Sequence, residues 1–213
     1  MQENIKKKKI NLKIFSLSHL GSPARSRNIG INKSKGKYLC FFDCDDLFYK
    51  MKLNTLYKLI KKNNSDVFYH NVYLNHKNKN LKLKIIDSKN SFKDLFFTGN
   101  KIILSSSCVK KLFLDKNKIK FNEKKIFVSV EDYDFWLHIA RNNGKFFLIK
   151  KILGSNNLNA NSISKNRTHH FLATFSVIKK YEKYFKNMKV KIILRKIRIL
   201  ISFLKISLLE KKL

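Results

Sequence analysis

The feature that most constrains this chain is an apolar run that ends abruptly in carboxylates. Residues 38–42 are aromatic, aliphatic or thiol side chains, and Asp43, Asp45 and Asp46 follow within four positions. Such a run, opened by Gly36, predicts a fully buried strand that ends at the edge of a sheet. Carboxylates this close repel one another unless a cation or hydrogen-bond donors neutralise them, which favours a divalent metal site. The alternative is a strand followed by a helix that Asp46 caps.

Strands and helices alternate along the chain, and this order predicts an α/β fold whose sheet contains parallel strands. The predicted strands span residues 10–17, 38–42, 67–73, 102–107 and 145–153; the predicted helices span residues 25–35, 50–62, 91–97 and 131–142. Residues 75–90 are rich in lysine and asparagine and are predicted to form a hairpin or an exposed loop.

The chain is strongly basic, with a formal net charge of +33 over 213 residues. This charge points to a polyanionic partner such as nucleic acid, anionic lipid or a phosphorylated substrate. The abundance of Ile, Asn, Lys and Phe is also typical of an A+T-rich genome, which would raise lysine without any binding function. Three cysteines without zinc spacing, Cys40, Cys44 and Cys108, are expected to be reduced, and Cys40 and Cys44 lie in or beside the predicted buried strand. No secretory signal is visible at the start of the chain.

Two further motifs flank the carboxylates along the sequence. Residues 21–30 form a turn that leads into a helix carrying Arg25 and Arg27, and such a helix start can hold an anion. Residues 130–137 open a second helix with acids and then contain the only tryptophan, Trp136. Each motif alone is explained as well by ordinary helix starts and caps.

Taken together, the motifs resemble those of the family 2 glycosyltransferases. Arg-Asn-x-Gly at residues 27–30, Asp-x-Asp-Asp at residues 43–46, Phe-Asn-Glu at residues 121–123 and Glu-Asp-Tyr-Asp-x-Trp at residues 131–136 match the family in order and spacing. The resemblance implies a GT-A fold, in which helices flank a mixed, mostly parallel sheet. It also implies an enzyme that transfers a sugar from a nucleotide-diphosphate sugar, with inversion of configuration.

The resemblance implies a metal and donor site in the first half of the chain. Asp45 is expected to bind Mg²⁺ or Mn²⁺, and Asp43 is expected to contact the sugar of the donor. Arg27 and Asn28 are expected to bind the donor as well, with Asp46 as a helper or a helix cap. A hard cation suits carboxylate and phosphate oxygens and neutralises the departing diphosphate.

The resemblance places the acceptor side at the second acidic helix. Asp132 is the expected general base, which takes a proton from the acceptor hydroxyl. Glu131 and Asp134 are expected to support it. Trp136 lies on nearly the same helix face and is expected either to border the acceptor pocket or to belong to the core.

The chain also departs from the family at its start. The family's first strands, which hold the nucleotide base, have no counterpart in the lysine-rich residues 1–9. We therefore expect a partial GT-A domain at residues 1–165, truncated at its N-terminus, followed by a basic helical region at residues 166–213. Exposed sheet edges would then make the chain inactive, split or dependent on a complementing N-terminal fragment. Residues 159–164 resemble the family's flexible segment that closes over donor and acceptor.

The C-terminal region predicts a helix with one narrow polar stripe. The polar positions are Lys191, Arg195, Arg198, Ser202 and Lys205, spaced by three or four residues, and most of the remaining positions are apolar. This pattern favours a helix at residues 189–209 on an anionic membrane surface, and its charges argue against a span. The protein is then expected on the cytoplasmic, inner face of a membrane, with a glycan or lipid-linked acceptor. The alternative is a tail helix that docks on the domain's own core.

Two other functions compete with the transferase. A nucleic-acid-binding protein would use the +33 charge together with 8 tyrosines and 18 phenylalanines as stacking groups. The lysines are spread along the chain and do not cluster with the aromatics, which disfavours nucleic acid. A non-catalytic remnant that packs against another transferase is the second alternative.

Overall fold

A computed structural model describes residues 11–18, 21–76, 79–83, 92–157 and 166–210. Its helices are α1 (Ala24–Lys33), α2 (Lys52–Lys62), α3 (Phe92–Thr98), α4 (Lys111–Lys116), α5 (Glu131–Arg141), α6 (Arg167–Tyr181) and α7 (Lys189–Glu210). Its strands are β1 (Tyr38–Cys40), β2 (Leu47–Phe48), β3 (Val67–His76), β4 (Lys79–Leu83), β5 (Ser107–Lys110) and β6 (Phe146–Asn157). Short 3₁₀ turns at Leu104–Ser106, Lys125–Phe127 and Glu182–Met188 connect these elements.

The six strands form one mixed sheet with β3 at its centre. The order is β1-β5-β3-β6-β2, and β4 pairs with β3 as a hairpin. The α/β class is confirmed, but the expectation of a mostly parallel sheet is wrong for the described strands. Only β3 and β6 pair in parallel, while the other four pairs are antiparallel. A parallel pair needs a long crossover, and here the whole α3-to-α5 segment supplies it.

Alternation along β3 divides the core between the two faces of the sheet. Val67 and Tyr69 face the larger cluster, which α1, α3, α5 and α6 complete, and Phe68 faces a smaller cluster under α2. Helix α2 contributes Leu56 to that smaller cluster. Two lysines in the last turn of α2 lie at the negative end of the helix dipole, where positive charge stabilises the helix. The sheet is therefore a rigid layer whose loops carry the predicted functional residues.

The strand at residues 38–42 is shorter and less buried than expected. Strand β1 ends at Cys40, pairs with β5 and occupies one end of the sheet order. Only Leu39 in it is buried. Cys40 and Cys44 are exposed, Cys108 is buried, and all three are free thiols. The expectation of a fully buried strand was wrong because an edge position leaves part of the run in contact with solvent.

Two other strand predictions are wrong. Residues 11–18 carry no regular secondary structure and are exposed. Within residues 102–107, Leu104–Ser106 form a 3₁₀ turn, and β5 begins only at Ser107. The hydroxyl of Ser106 donates to the carbonyl of Ile103 at 2.7 Å, and that of Ser107 donates to Leu104 at 2.6 Å. Such local bonds compete with a strand ladder and keep the backbone in a turn.

The remaining predicted elements are confirmed to within a few residues. Helices α1, α2, α3 and α5, strands β3 and β6, and the hairpin of β3 with β4 lie where the pattern predicted them. Part of the predicted loop and the flexible segment at residues 159–164 lie outside the described residues.

The C-terminal helices belong in part to the same core. Ala173, Val177, Ile178 and Tyr181 of α6 are buried in the larger cluster, and α7 adds Ile192. The described residues contain no helix that has both the length and the apolar character needed to cross a membrane. Residues 166–210 are thus helical as predicted, and α6 packs as an integral layer of the domain.

Helix α7 contacts the domain through a narrow face and leaves most of its apolar side chains open. Within its polar stripe, Arg195 is only 6% exposed and its Nη2 donates to the hydroxyl of Tyr133 at 2.8 Å, whereas the other stripe residues are exposed: Lys191, Arg198, Ser202 and Lys205. The apolar face lies open as well. Val190, Ile193, Leu194, Ile197, Leu200, Ile201 and Leu204 are each at least 42% exposed. The docking therefore uses the arginine-bearing face, with Ile192 and Ile199, and leaves most of the aliphatic side chains uncovered.

Candidate active site

Arg27 connects the motifs that are far apart in the sequence. Its Nη2 donates to Oδ1 of Asp43 at 3.0 Å, and its Nη1 donates to Oε1 of Glu131 at 2.8 Å. The side chains of Arg27 and Glu131 are 15% and 7% exposed, whereas that of Asp43 is 40% exposed. A planar guanidinium suits this bridge because its separate N–H groups can serve two carboxylates at once. Helix α1 thereby fixes the loop that carries Asp43, Asp45 and Asp46 against the start of α5. We call this segment the carboxylate loop.

Asn28 clamps the segment at Phe121 and Glu123 to α1 through hydrogen bonds of its side-chain amide. It is 5% exposed, and its Nδ2 donates to the carbonyl of Phe121 at 2.9 Å and to Oε1 of Glu123 at 2.7 Å. Its Oδ1 accepts from the backbone N–H of Phe121 at 2.8 Å. Its amide is thus used within the protein, and the expected donor contact of Asn28 stays a prediction. The matched Phe-Asn-Glu segment has a physical role as the partner of this clamp.

Asp46 is a structural carboxylate and does not cap α2. It is 2% exposed and accepts from Nδ2 of Asn156 at 2.9 Å and from the backbone N–H of Asn157 at 3.1 Å. Helix α2 has Met51 as its N-cap, with no side-chain hydrogen bond. Burial raises the pKa of Asp46, although these donors oppose the shift. Its position ties the carboxylate loop to the end of β6, so the cap alternative is wrong, and a helper role for Asp46 on the donor side stays a prediction.

Asp43 and Asp45 are the more exposed acids of the carboxylate loop. Asp45 is exposed, and its backbone carbonyl accepts from Nδ2 of Asn157. Among the described residues, no three His, Cys, Asp or Glu side chains converge as a ligand set for a metal ion. Mg²⁺ commonly uses one or two protein carboxylates together with substrate phosphates. The residues present fit that mode, with Asp45 as the protein ligand beside Asp43.

A buried lysine supports the carboxylate loop from below. Lys52 has no exposed surface, and its Nζ donates to the carbonyl of Ser105 and lies 3.2 Å from the ring centroid of Phe48. The hydroxyl of Ser105 in turn accepts from the backbone N–H of Asp43 at 3.0 Å. Burial lowers the pKa of Lys52 to about 8. The ammonium thus helps to hold the turn on which the loop rests.

Asp132 occupies the mouth of a cleft beside the Arg27 bridge. Its Oδ2 accepts from Nδ2 of Asn100 at 2.8 Å, and its Oδ1 accepts from the backbone N–H of Tyr133 at 2.7 Å. Burial, followed by the negative charge of Glu131, raises the pKa of Asp132 to about 6. A carboxylate with such a pKa is ionised near neutral pH and is a stronger base than an ordinary aspartate.

The other acids and the tryptophan of α5 do not face this cleft. Glu131 is held by Arg27, and Asp134, which is 2% exposed, accepts from Nζ of Lys180 at 2.7 Å. Trp136 has no exposed surface, and its Nε1 donates to the carbonyl of Ile102 at 3.1 Å. The core alternative for Trp136 is therefore confirmed, and the support that Glu131 and Asp134 are expected to give Asp132 stays a prediction. Successive side chains of a helix point in different directions, and among the three acids of this turn Asp132 is the one that lines the cleft.

The cleft next to Asp132 has a volume of about 370 Å³. Asn100, Ser129, His170, Arg195 and Arg198 contribute to its walls together with Asp132. The walls come from α3, α5, α6, α7 and the loops before α5, so the C-terminal helices complete it. Its polar lining beside an ionisable carboxylate suits a hydroxylated ligand.

Sequence reasoning missed several residues that shape the site. Asn100, Ser105 and Asn156 contact Asp132, Asp43 and Asp46, respectively, across large sequence separations, and Lys52 contacts Ser105. Asparagines are abundant throughout this chain, so none of them stood out by residue type. The one available signal was Lys52, a lysine on the otherwise apolar side of an amphipathic helix directly after the carboxylates.

The fold and the site together define a class of protein. It is an α/β domain in which one helix-borne arginine joins a carboxylate loop to a second acidic helix. The family model described as glycosyl transferase family 2 matches residues 1–117. The chain therefore belongs to glycosyl transferase family 2, and the resemblance seen in its motifs is confirmed.

Two curated relatives show how far the likeness extends. An uncharacterised glycosyltransferase of Methanocaldococcus jannaschii is 31% identical over 60% of this chain and 44% of its own length. The poly(ribitol-phosphate) beta-N-acetylglucosaminyltransferase TarP of Staphylococcus aureus is 30% identical over 75% of this chain and 51% of its own length. The chain thus spans about half the length of these relatives.

Solved structures agree with the fold. TarS of S. aureus (residues 1–349) in complex with UDP gives a TM-score of 0.59 at 19% identity, covering 81% of this chain and 50% of that one. The same protein with UDP-GlcNAc gives 0.60 at 17% identity, covering 95% and 67%. These matches confirm the GT-A-like fold class.

Proposed function

We propose that this chain is an inverting glycosyltransferase that moves a sugar from a nucleoside-diphosphate sugar to a hydroxyl of a glycan or lipid-linked acceptor. The product would belong to a cell-surface polysaccharide or lipopolysaccharide-type glycan. The observation that carries the proposal is the Arg27 bridge, because it joins the donor-side carboxylate Asp43 to Glu131, the neighbour of Asp132. A relative from Borreliella burgdorferi, 27% identical over 73% of this chain and 47% of its own length, is named a cholesterol galactosyltransferase. That name supports a lipid as one kind of acceptor.

The chemistry follows from the cleft. The acceptor hydroxyl lies against Asp132 and gives its proton to that carboxylate as its oxygen forms a bond to the anomeric carbon. The bond from that carbon to the diphosphate oxygen breaks on the opposite face, and its electrons leave with the nucleoside diphosphate, so the configuration inverts. Asn100 holds Oδ2 of Asp132 in place during this step.

A divalent cation suits the donor side of this proposal. Mg²⁺ or Mn²⁺ held by Asp45 would neutralise charge on the departing diphosphate. Removal of metal with EDTA should abolish transfer, and Mn²⁺ or Mg²⁺ should restore it. Asp45→Asn should raise the metal concentration required for half-maximal activity. Full activity in EDTA would remove the metal from the proposal.

The general base is tested by Asp132→Asn. UDP-GlcNAc is the first donor to use, followed by other nucleoside-diphosphate sugars, with release of the nucleotide as the readout. Loss of the base should lower the transfer rate by about 10²- to 10⁴-fold. The matched control is Asp115→Asn, which removes an exposed carboxylate of α4. Equal rates for wild type and Asp132→Asn would contradict the assignment, and a chain that turns over no donor would favour the non-catalytic remnant.

The pH profile gives an independent check on the same carboxylate. Because the pKa of Asp132 is raised to about 6, the base is protonated below that pH and ionised above it. Activity should therefore rise with pH through about 6 and then level off. A profile that stays flat down to pH 4, near the ordinary pKa of aspartate, would contradict a base role for Asp132.

We also propose that α7 places the protein on an anionic membrane surface at the cytoplasmic face. The support is the exposed aliphatic face of α7, together with the exposed basic residues Lys189, Lys191 and Lys205 on the same helix. An apolar helix face flanked by cations is the pattern of interfacial helices, where each basic residue near anionic headgroups contributes about 1 kcal/mol.

Vesicle flotation tests this placement. The intact chain should float with phosphatidylglycerol-containing vesicles and remain at the bottom with purely phosphatidylcholine vesicles. The double variant Ile193→Asp with Leu200→Asp should lose flotation, whereas Leu53→Asp with Leu112→Asp should keep it, since these leucines are exposed on other helices. Unchanged flotation of the α7 variant would contradict the proposal, as would a stable dimer that covers this face.

A further inference from the structure

The polar stripe of α7 lines a second cleft in addition to the Asp132 cleft. A larger cleft of about 500 Å³ adjoins it, lined by Lys93, Lys191, Arg195 and Arg198, with Asp94 as its carboxylate. We call it the basic cleft. Arg195 and Arg198 line both clefts, so the two spaces share one cationic wall. A ligand that extends from Asp132 across this wall passes both arginines and meets Phe97 and Leu194, the apolar part of the lining.

Arg195, the buried arginine of this wall, has an N–H group that donates no hydrogen bond to the described residues. Arg195 is 6% exposed, and its Nη2 donates to Tyr133, but its Nε has no hydrogen-bond partner. Its guanidinium lies over the rings of Phe96 and Tyr133, with centroid distances of 5.6 and 6.0 Å. Burying a guanidinium without a facing carboxylate is unfavourable unless an anion approaches it.

Arg198, the other arginine of this wall, is exposed to solvent. It lines both clefts and forms no salt bridge within the part of the chain that the structure describes. An arginine of this kind can form two parallel bonds to phosphate oxygens without first breaking an internal pair. The two arginines thus combine a buried charge held by Tyr133 with an exposed, accessible one.

We infer that the basic cleft binds a phosphate group of the acceptor, whose hydroxyl then lies at Asp132. This inference rests on the proposed function, and it names the acceptor class as a phosphate-bearing molecule. The phosphate could belong to a lipid phosphate or to a water-soluble polyol phosphate, because both present the same oxygens to the arginines. The donor diphosphate is assigned elsewhere, at the carboxylate loop that contains Asp45.

Calorimetric titration of the full chain tests the inference. The probes are octyl phosphate for the lipid source and ribitol 5-phosphate for the water-soluble source, with octyl glucoside and ribitol as uncharged counterparts. At least one phosphate probe should bind at least tenfold more tightly than its uncharged counterpart. The preferred phosphate probe identifies the source, and equal binding of phosphate and uncharged probes would overturn the inference.

The variant Arg198→Gln separates the acceptor from the donor. It should weaken binding of the phosphate probe at least tenfold and leave binding of UDP unchanged. The matched control is Lys179→Gln, which removes an exposed cation of α6 outside both clefts. Unchanged probe binding in Arg198→Gln, or weakened UDP binding, would overturn the inference, the latter because the cleft would then hold the donor diphosphate.

Failure of the proposed function would look different. A wild-type chain that binds neither UDP nor any nucleotide sugar, and turns over no donor, would contradict the transferase proposal whatever the phosphate probes do. Phosphate binding in such a chain would overturn the acceptor role of the cleft. Donor turnover with intact UDP binding but no phosphate binding would overturn only the inference about the acceptor.

Discussion

Arg27 places one positive charge between two carboxylates from separate parts of the chain. Asp43 follows the edge strand β1, and Glu131 begins α5, yet both are bound by the same guanidinium. With one charge shared between two acids, the bridge leaves a net negative charge. Burial is the main reason for the raised pKa of Asp132, and the negative charge of Glu131 adds to it while Arg27 opposes it.

Replacement of Arg27 should affect stability and activity together. Arg27→Met leaves the buried Glu131 without a partner, so we expect the free energy of unfolding to fall by about 3 kcal/mol. Arg27→Lys keeps the charge but cannot serve both carboxylates with the same geometry, so an intermediate loss is expected. Urea unfolding and donor turnover are the measurements.

The neighbouring arginine is the control for this experiment. Arg25 lies on the same helix, two residues earlier, and is exposed. Arg25→Met should change the free energy of unfolding by less than about 0.5 kcal/mol. If the variants at positions 25 and 27 behave alike, the bridge has no special role.

At the scale of elements, α5 and α6 are joined by a charge pair whose carboxylate is buried and whose lysine side chain is 37% exposed. Asp134 is 2% exposed and accepts two hydrogen bonds from Nζ of Lys180, at 2.7 and 2.8 Å. The hydroxyl of Tyr181 also donates to the backbone carbonyl of Asp134 at 3.2 Å. These contacts fix α6 against α5, and with it the wall of the cleft that carries His170.

Breaking this pair from the lysine side should loosen α6. Lys180→Met leaves the carboxylate of Asp134 buried and unpaired, and we expect unfolding to become easier by about 3 kcal/mol. Lys179→Met is the control, since that lysine is exposed at the adjacent position. Urea denaturation followed by circular dichroism measures both, and equal midpoints would show that the pair contributes nothing.

The success of sequence-based prediction also differed from element to element. Helices α2 and α5 and strand β3 have strong apolar periodicity, which a local pattern can reveal. The turn at Leu104–Ser106 was missed because its serines bond to nearby carbonyls, a choice that periodicity does not record. Strand β1 was predicted too long because the sequence does not show which strand lies at the edge.

Within the candidate site, residue types were predictable and contacts were not. Asp132 and Arg27 were identified from their motifs, and the structure brings their helices together. The clamp between Asn28 and Phe121 joins residues 93 positions apart, so only the folded chain reveals it. The orientation of α7 was likewise hidden, because a polar stripe on a helix predicts a face but not what that face contacts.

At the scale of the whole molecule, the charge of +33 must repel itself in the folded state. Screening by salt should relieve this repulsion, so the thermal unfolding midpoint should rise between about 0.02 M and about 0.3 M NaCl. The effect should shrink near the sequence pI of about 10.2, where the net charge vanishes. A midpoint that falls or stays constant with salt at neutral pH would contradict this account.

Helix α7 carries the cleft arginines on one side and its exposed aliphatic side chains on another. The thickness of the helix therefore determines the distance between the cleft and any surface that the aliphatic side chains contact. An α-helix with its side chains is about 10–12 Å thick. If the aliphatic side rests on lipid, the cleft lies roughly that far from the bilayer surface. The enzyme would then act only on acceptor hydroxyls that lie within about one helix thickness of the membrane surface. A glycan whose growing end extends beyond that distance would leave the cleft.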